Sequence, residues 1–123
     1  MNVVPRILLL AGIGHLVLFS PTVAAEPLKR LSAAEIKSRI IGMVITDEAH
    51  WSDEFLPDGI LNSMQLGQKK PGTWKLVGRE LCLTHKSRKE TTTDCCEIWL
   101  WKDQVEYHRN GVVAAEAWLR PPP

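Results

Sequence analysis

The sequence predicts a mainly β fold, in which a short N-terminal helix precedes an antiparallel meander of about eight strands. Turn-forming residues recur roughly every 8 to 12 positions after Met43, and the segments between them alternate apolar and polar side chains. Helical periodicity is confined to one stretch before Met43. Hairpins in sequence order need no crossover helices, so we expect a small barrel or a strongly curved sheet.

The helix is predicted from a start signal and a stop signal. The Ser32 side chain can accept from the backbone N–H of Glu35, and the Glu35 side chain can accept from that of Ser32, which makes a capping box. Ile36 and Ile40 then lie one turn apart on one face, and Gly42 is a typical C-terminal stop. Because so short a helix is not stable alone, we expect it to plug an end of the barrel or to cover a face of the sheet.

Strands are predicted wherever alternation runs between two turn signals, at 43–46, 51–56, 60–66, 73–77, 80–84, 96–101, 104–109 and 112–119. Asn110 and Gly111 give the strongest hairpin signal, because both tolerate the positive φ angles of a type I′ turn. Residues 67–72 and 85–93 are predicted as connections between strands.

The first 25 residues have the order of regions typical of a secretory signal. Arg6 supplies the basic region, residues 7–19 are largely apolar, and small residues precede a cleavage site after Ala25. The apolar run is shorter than the ~20 residues of a bilayer span, so we expect a periplasmic or secreted protein with no stable membrane insertion after cleavage. The rest of the chain divides into a mobile leader at 26–30, one domain at 31–119 and a Pro-rich tail at 120–123.

The charge balance argues against a nucleic-acid partner. Of the 15 Lys and Arg residues only Arg6 lies in the predicted signal, and none of the 14 Asp and Glu residues does. The exported domain therefore has equal numbers of basic and acidic side chains, whereas nucleic-acid binding needs a clustered cationic surface.

The chain has three cysteines, which in an oxidising compartment predict one disulfide and one thiol. A bond between adjacent Cys95 and Cys96 needs a strained geometry, so we expect Cys82 to pair with Cys96 or, as the alternative, with Cys95. Either bond closes a loop of roughly 14 residues and adds about 3 kcal/mol of stability. The spacing matches no CxxC motif, so we expect no metal site, no redox site and no cofactor.

Four short motifs follow the predicted helix, namely Phe55–Gly59 with an Asp-Gly turn, Gly72–Leu76 with Gly-x-Trp, Leu81-Cys82, and Cys96. This layout is similar to that of small exported proteobacterial proteins grouped as domains of unknown function. The resemblance covers Leu31 to Trp118 and implies the fold and the location, without an activity. The Gly-x-Trp strand also resembles lipocalins and barrel-type protease inhibitors.

The candidate chemical groups are few. Asp47, Glu48 and His50 combine carboxylates with an imidazole, which suits acid–base or metal chemistry, although a solvated loop between strands explains them as well. A second group is the basic segment within 85–93, a candidate partner loop formed by His85, Lys86, Arg88 and Lys89.

Five tryptophans are present, and two of them mark a candidate binding face. Trp99 and Trp101 share one face of their strand, while Ile98 and Leu100 share the other. Because both faces are apolar, one should meet the core, and the other should be covered by the helix, a ligand or a partner. Trp74 is a further candidate member of this face.

These observations lead to two hypotheses about function. The first is an exported, non-enzymatic binding module that engages an envelope protein or a small apolar ligand, including an inhibitor whose loop at 85–93 enters a target enzyme. The second is a small extracytoplasmic hydrolase or metal-dependent enzyme centred on Asp47, Glu48 and His50.

Overall fold

One helix and nine strands make up the described part of the chain. The computed structural model describes residues 11–19, which are exposed and lack regular secondary structure, and residues 27–123. The cleavage site predicted after Ala25 and most of the predicted signal lie outside these residues. The elements are β1 (Lys29–Arg30), α1 (Ala33–Arg39), β2 (Val44–Thr46), β3 (Trp51–Phe55), β4 (Ile60–Gln65), β5 (Gln68–Val77), β6 (Glu80–Lys86), β7 (Thr91–Trp101), β8 (Gln104–Arg109) and β9 (Val112–Arg120). Within the described ranges, no helix has the length and apolar character needed to cross a membrane.

Strands β2 to β9 form a closed antiparallel barrel. Each strand pairs with the next along the chain, and β2 pairs with β9, with Ile45 opposite Leu119, to close the ring. β1 is an additional strand beside β7, where Lys29 lies opposite Leu100. The predicted fold class is confirmed, since all eight predicted strands are present and one short helix precedes them. Of the two predicted forms, the sheet adopts the closed barrel.

Successive strands run in opposite directions, so the turns between them lie alternately at the two ends of the barrel. We call these the helix end and the open end. The turns that precede β4, β6 and β8 lie at the helix end, and those that precede β3, β5, β7 and β9 lie at the open end. At the open end, Asn110 and Gly111 have φ angles of 53° and 75°. Both residues are left-handed, as predicted for this hairpin.

Helix α1 packs against the apolar core at one end of the barrel. Its predicted capping box is confirmed, since the Ser32 and Glu35 side chains each accept from the other residue's backbone N–H, at 3.2 and 3.1 Å. Ile36 is fully buried in the cluster that the inward strand residues form. The N–H of Gly42 donates to the carbonyl of Phe55 at 2.7 Å, which fixes the helix exit against the end of β3. Of the two predicted placements, α1 therefore plugs an end.

Alternation along the strands decides which side chains fill the barrel. On β7, Cys96, Ile98 and Leu100 point inward and are buried, while Trp99 and Trp101 point outward. Large apolar side chains from α1 and from most of the strands make one core, formed mainly by Leu31, Ile36, Ile40, Ile45, Phe55, Leu61, Leu81, Ile98, Leu100 and Val105. Full burial of one such side chain contributes about 1.5 to 3 kcal/mol.

The predicted connection at 67–72 is mostly strand. Leu66 and Gly67 have φ angles of 49° and 78°, and two successive left-handed residues allow a two-residue hairpin turn. β5 therefore begins directly after Gly67 and pairs with β4. Pro71 is tolerated there because β6 pairs with β5 only from Gly72 onward, so no β6 carbonyl lies opposite the missing N–H.

The predicted loop at 85–93 is also mostly strand. β6 continues to Lys86 and β7 begins at Thr91, which leaves only a short turn between them. The hydroxyl groups of Thr84 and Thr93 lie 2.9 Å apart across the two strands. Such threonine pairs stabilise a sheet, and they extend this hairpin beyond the apolar core.

Both ends of the predicted domain extend further than expected. Lys29 and Arg30, predicted in the mobile leader, form β1. Arg120, predicted in the tail, ends β9 and forms ion pairs with Glu48 and Asp103.

The disulfide joins Cys82 to Cys95, the alternative partner, and our first choice of Cys96 is wrong. Cys82 and Cys95 lie directly opposite each other on β6 and β7, with Cα atoms 4.0 Å apart. Cys96 points the other way, opposite Leu81, and is a buried thiol. Since neighbouring residues in a strand face opposite sides, only one of the adjacent cysteines can reach Cys82.

Candidate functional site at the open end of the barrel

A buried carboxyl group lies inside the barrel. Asp53 is the central residue of β3, where alternation turns it inward together with Trp51 and Phe55. It is 8% exposed. The hydroxyl of Ser63 on β4 donates to Oδ1 at 2.6 Å, and the hydroxyl of Tyr107 on β8 donates to Oδ2 at 3.1 Å. Three strands therefore fix the position of this carboxyl group.

Burial changes the acidity of both partners. Loss of hydration raises the pKa of Asp53, and the hydrogen bonds from Ser63 and Tyr107 and the charge of nearby His85 only partly oppose this effect. The pKa of Tyr107 lies well above its ordinary value, because of burial first and the Asp53 charge second. Tyr107 therefore stays a hydrogen-bond donor, while Asp53 takes up a proton more readily than an exposed aspartate.

A cleft of about 320 Å³ opens beside this carboxyl group. The rings of Trp51 and Tyr107 stack with their centroids 5.8 Å apart and their planes at 27°. We call this cavity the open-end cleft. Its lining residues are His50, Trp51, Asp53, Gln65, Leu66, Tyr107 and Ala115. It combines two aromatic side chains with three polar ones, His50, Asp53 and Gln65, and such a mixture of aromatic surface and placed polar groups suits a small molecule.

The predicted group of Asp47, Glu48 and His50 forms a hydrogen-bonded turn. Asp47 accepts from three backbone N–H groups, including those of His50 and Trp51, and also contacts the His50 ring at 2.9 Å. These bonds, that from Trp51 above all, hold the pKa of Asp47 well below its usual range. Glu48 is paired with Arg120. Both carboxylates thus have structural partners.

The outward tryptophans Trp99 and Trp101 are half-buried and contact polar side chains. Trp99 donates from Nε1 to Glu97 at 3.0 Å, and its ring stacks on His108 with centroids 4.8 Å apart. The Nζ atom of Lys102 lies 4.7 Å from the ring centroid of Trp101. The face that we expected to meet the helix, a ligand or a partner therefore packs against side chains of its own barrel.

Trp74 does not join Trp99 and Trp101. It lies inward on β5, opposite Leu83, and packs against the core. Its Nε1 atom donates to the carbonyl of Leu56 at 2.7 Å.

The members of the predicted partner loop separate into two environments. His85 belongs to β6 and points inward, opposite Gly72 on β5. Lys86 ends the same strand, while Arg88 and Lys89 lie on the turn after it, and all three are exposed.

Sequence reasoning missed the partners of Asp53. The inward position of Asp53 could have been read from its alternation with Trp51 and Phe55. No pattern in the sequence indicates that Ser63 and Tyr107 bind its two oxygens, because barrel closure brings Tyr107 across 54 positions of the chain.

The described residues hold one cluster with the side chains that bind metals, formed by Glu80, Cys82 and Cys95. Its two sulfur atoms are bonded to each other, so neither is available as a thiolate ligand.

Comparison of the chain with protein-family models, with curated proteins and with solved structures gives no significant match. Functional interpretation of the site therefore depends on its own geometry and chemistry.

Proposed function

We propose that this chain is an exported, non-enzymatic binding protein whose ligand occupies the open-end cleft. One observation carries the proposal: the Asp53 carboxyl group, 8% exposed, lines a cleft beside the stacked rings of Trp51 and Tyr107. Burying an ionisable group costs stability, so its presence beside a cleft favours a role in binding.

Export is supported by two independent features. The first 25 residues have the order of a secretory signal, and Cys82 and Cys95 form a disulfide, a bond that persists in oxidising compartments. We infer a periplasmic or secreted location.

The cleft favours a small, flat and largely apolar ligand with one polar group. Its volume of about 320 Å³ lies near the lower end of small-molecule sites, which span roughly 300 to 1,000 Å³. An apolar ring can lie against Trp51 and Tyr107, while a hydroxyl or amine of the ligand can bond to Asp53.

A neutral apolar probe tests this proposal. We expect N-phenylnaphthylamine to gain fluorescence on binding the purified protein. Ala115→Leu adds bulk to the cleft wall and should weaken binding by about tenfold or more, since overpacking costs about 1 to 3 kcal/mol. Ala114→Leu is the matched control, because Ala114 is the exposed neighbour of Ala115 on β9 and does not line the cleft.

Three results would contradict the proposal. The first is the absence of saturable probe binding by the folded protein. The second is an equal loss of affinity in the two leucine variants, and the third is an affinity that neither variant changes. Circular dichroism measures the thermal stability of both leucine variants, so that unfolding of Ala115→Leu is not mistaken for lost affinity.

The alternative enzyme hypothesis has less support, because both of its carboxylates have structural partners. If a substrate screen finds an activity that His50→Ala abolishes while the probe does not bind, the enzyme hypothesis replaces the binding protein.

A further inference from the structure

Two hairpins diverge at the open end and leave a notch between them. β5 and β6 are paired only as far as Gly72 and His85. Beyond that pair, the β4–β5 hairpin and the β6–β7 hairpin separate around a cavity of about 310 Å³. We call this cavity the hairpin notch. Its lining residues are Lys69, Lys70, Pro71, His85, Lys86, Ser87, Glu90 and Thr92.

Lysines predominate among the charged residues that line the notch. Lys69, Lys70 and Lys86 come from both hairpins, and none of them forms an ion pair with any residue that the structure describes. Glu90 is the single carboxylate among the lining residues, so lysines outnumber it by three to one. Arg88, on the turn beside it, adds a further cation.

The His85 ring lines the notch and packs against β5. The Nδ1 atom of His85 is buried and has no hydrogen-bond partner among the described residues. The ring packs close to Gly72, where an added Cβ would lie 2.9 Å from Nδ1 and 2.4 Å from the carbonyl oxygen of Thr84. Only glycine fits there, and it allows the imidazole to form a wall of the cavity.

We propose that the hairpin notch binds an oxyanion of the phosphate or sulfate type. Lysine ammonium groups bind phosphate as mobile point charges, and lysines from both hairpins line this cavity. The exposed hydroxyl-bearing side chain of Thr92 adds a donor on the same lining. The notch is distinct from the open-end cleft, so its ligand goes beyond the proposed function.

The test is an NMR titration with inorganic phosphate at constant ionic strength. We expect saturable shifts of the backbone amides of Gly72, His85 and Ser87. Lys70→Gln/Lys86→Gln should weaken phosphate binding by about tenfold or more, because each charged hydrogen bond lost is expected to cost about that factor. Lys37→Gln/Lys75→Gln removes the same charge from exposed positions outside the notch and should leave binding unchanged.

Vesicles distinguish a free anion from a lipid headgroup. A headgroup ligand predicts that the protein floats with phosphatidylglycerol vesicles and not with phosphatidylcholine vesicles. The notch variant should then lose this flotation, and the control variant should keep it. Saturable phosphate binding without flotation would assign the phosphate to a small ligand.

Shifts that grow linearly with phosphate, or equal losses in the notch and control variants, would overturn the oxyanion site. Binding of the neutral apolar probe should be the same in the notch variant and the wild type. A failure here is therefore distinguishable from a failure of the open-end cleft.

Discussion

Replacing Tyr107 with Phe removes one hydroxyl from the barrel interior and keeps the ring. In the wild type this hydroxyl donates to Oδ2 of Asp53 at 3.1 Å, and the ring stacks on Trp51. Tyr107 and Asp53 are each 8% exposed, so water has little access to replace the lost donor. The variant therefore isolates one buried hydrogen bond.

The expected loss depends on the charge of Asp53. A hydrogen bond to a charged acceptor contributes about 1.5 to 3 kcal/mol, and one to a neutral acceptor about 0.5 to 1.5 kcal/mol. The bond from Ser63 to Oδ1, at 2.6 Å, remains in Tyr107→Phe. We therefore expect the free energy of unfolding to fall by about 1.5 to 3 kcal/mol where Asp53 is ionised, and by about half as much where it is protonated.

The same variant should change how stability depends on pH. Burial raises the pKa of Asp53, so the folded state holds this proton more tightly than the unfolded state does. The resulting stability is fully present below the unfolded-state pKa and is lost as pH rises through the folded-state pKa. Because the Tyr107 hydroxyl lowers the pKa of Asp53, removing it should make the loss larger and move it to higher pH.

Urea unfolding followed by tryptophan fluorescence from acid to neutral pH measures these effects. The four proteins are the wild type, Tyr107→Phe, Asp53→Asn and the double variant. The comparison with Asp53→Asn cancels the titration of other carboxyls, including Asp47, whose lowered pKa acts in the opposite direction. If Tyr107→Phe loses equal stability in both backgrounds at neutral pH, the buried charge-assisted bond is refuted.

Three further predictions concern the helix, the disulfide and the tyrosine. Ile36→Ala should lower the free energy of unfolding in urea by about 2 to 5 kcal/mol, because Ile36 is fully buried, whereas exposed Lys37→Ala should change it by under about 0.5 kcal/mol. Cys82→Ser/Cys95→Ser should cost about 3 kcal/mol in the same measurement, as expected for a sequence separation of 13, and no loss would contradict a native bond. Tyr107 is the only tyrosine, so tyrosinate absorbance reports it alone; we expect it to ionise only together with alkaline unfolding, and ordinary titration in the folded protein would contradict its burial.

Local signals predicted most of the fold. The capping box of Ser32 and Glu35 depends on residues three positions apart, and the Asn110-Gly111 turn on two adjacent residues. Such signals survive without knowledge of the tertiary structure. The connection predicted at 67–72 shows the limit of such local signals, because its one proline is Pro71. It favours a loop locally, and only the divergence of β5 from β6 allows it within a strand.

The site was less predictable because it depends on faces and on closure. Choosing Cys95 over Cys96 requires the register of β6 and β7, which decides which of the two cysteines shares a sheet face with Cys82. The sequence leaves both choices open. The contact of Tyr107 with Asp53 needs the ring of strands to close. Nor does any local pattern bring Lys70 of one hairpin near Lys86 of the next.

The barrel interior changes character along its axis. At the helix end, Ile36 and Phe55 belong to the apolar core and are fully buried. Further along the same strand as Phe55, Asp53 occupies an inward position where an apolar side chain of similar size would avoid the cost of burying a carboxyl group. A polar group that weakens the fold, lies beside a cleft and is held by two hydroxyl groups has the properties expected of a preorganised binding residue. The open end, and not the outward tryptophan face, is therefore where we expect ligands to act on this protein.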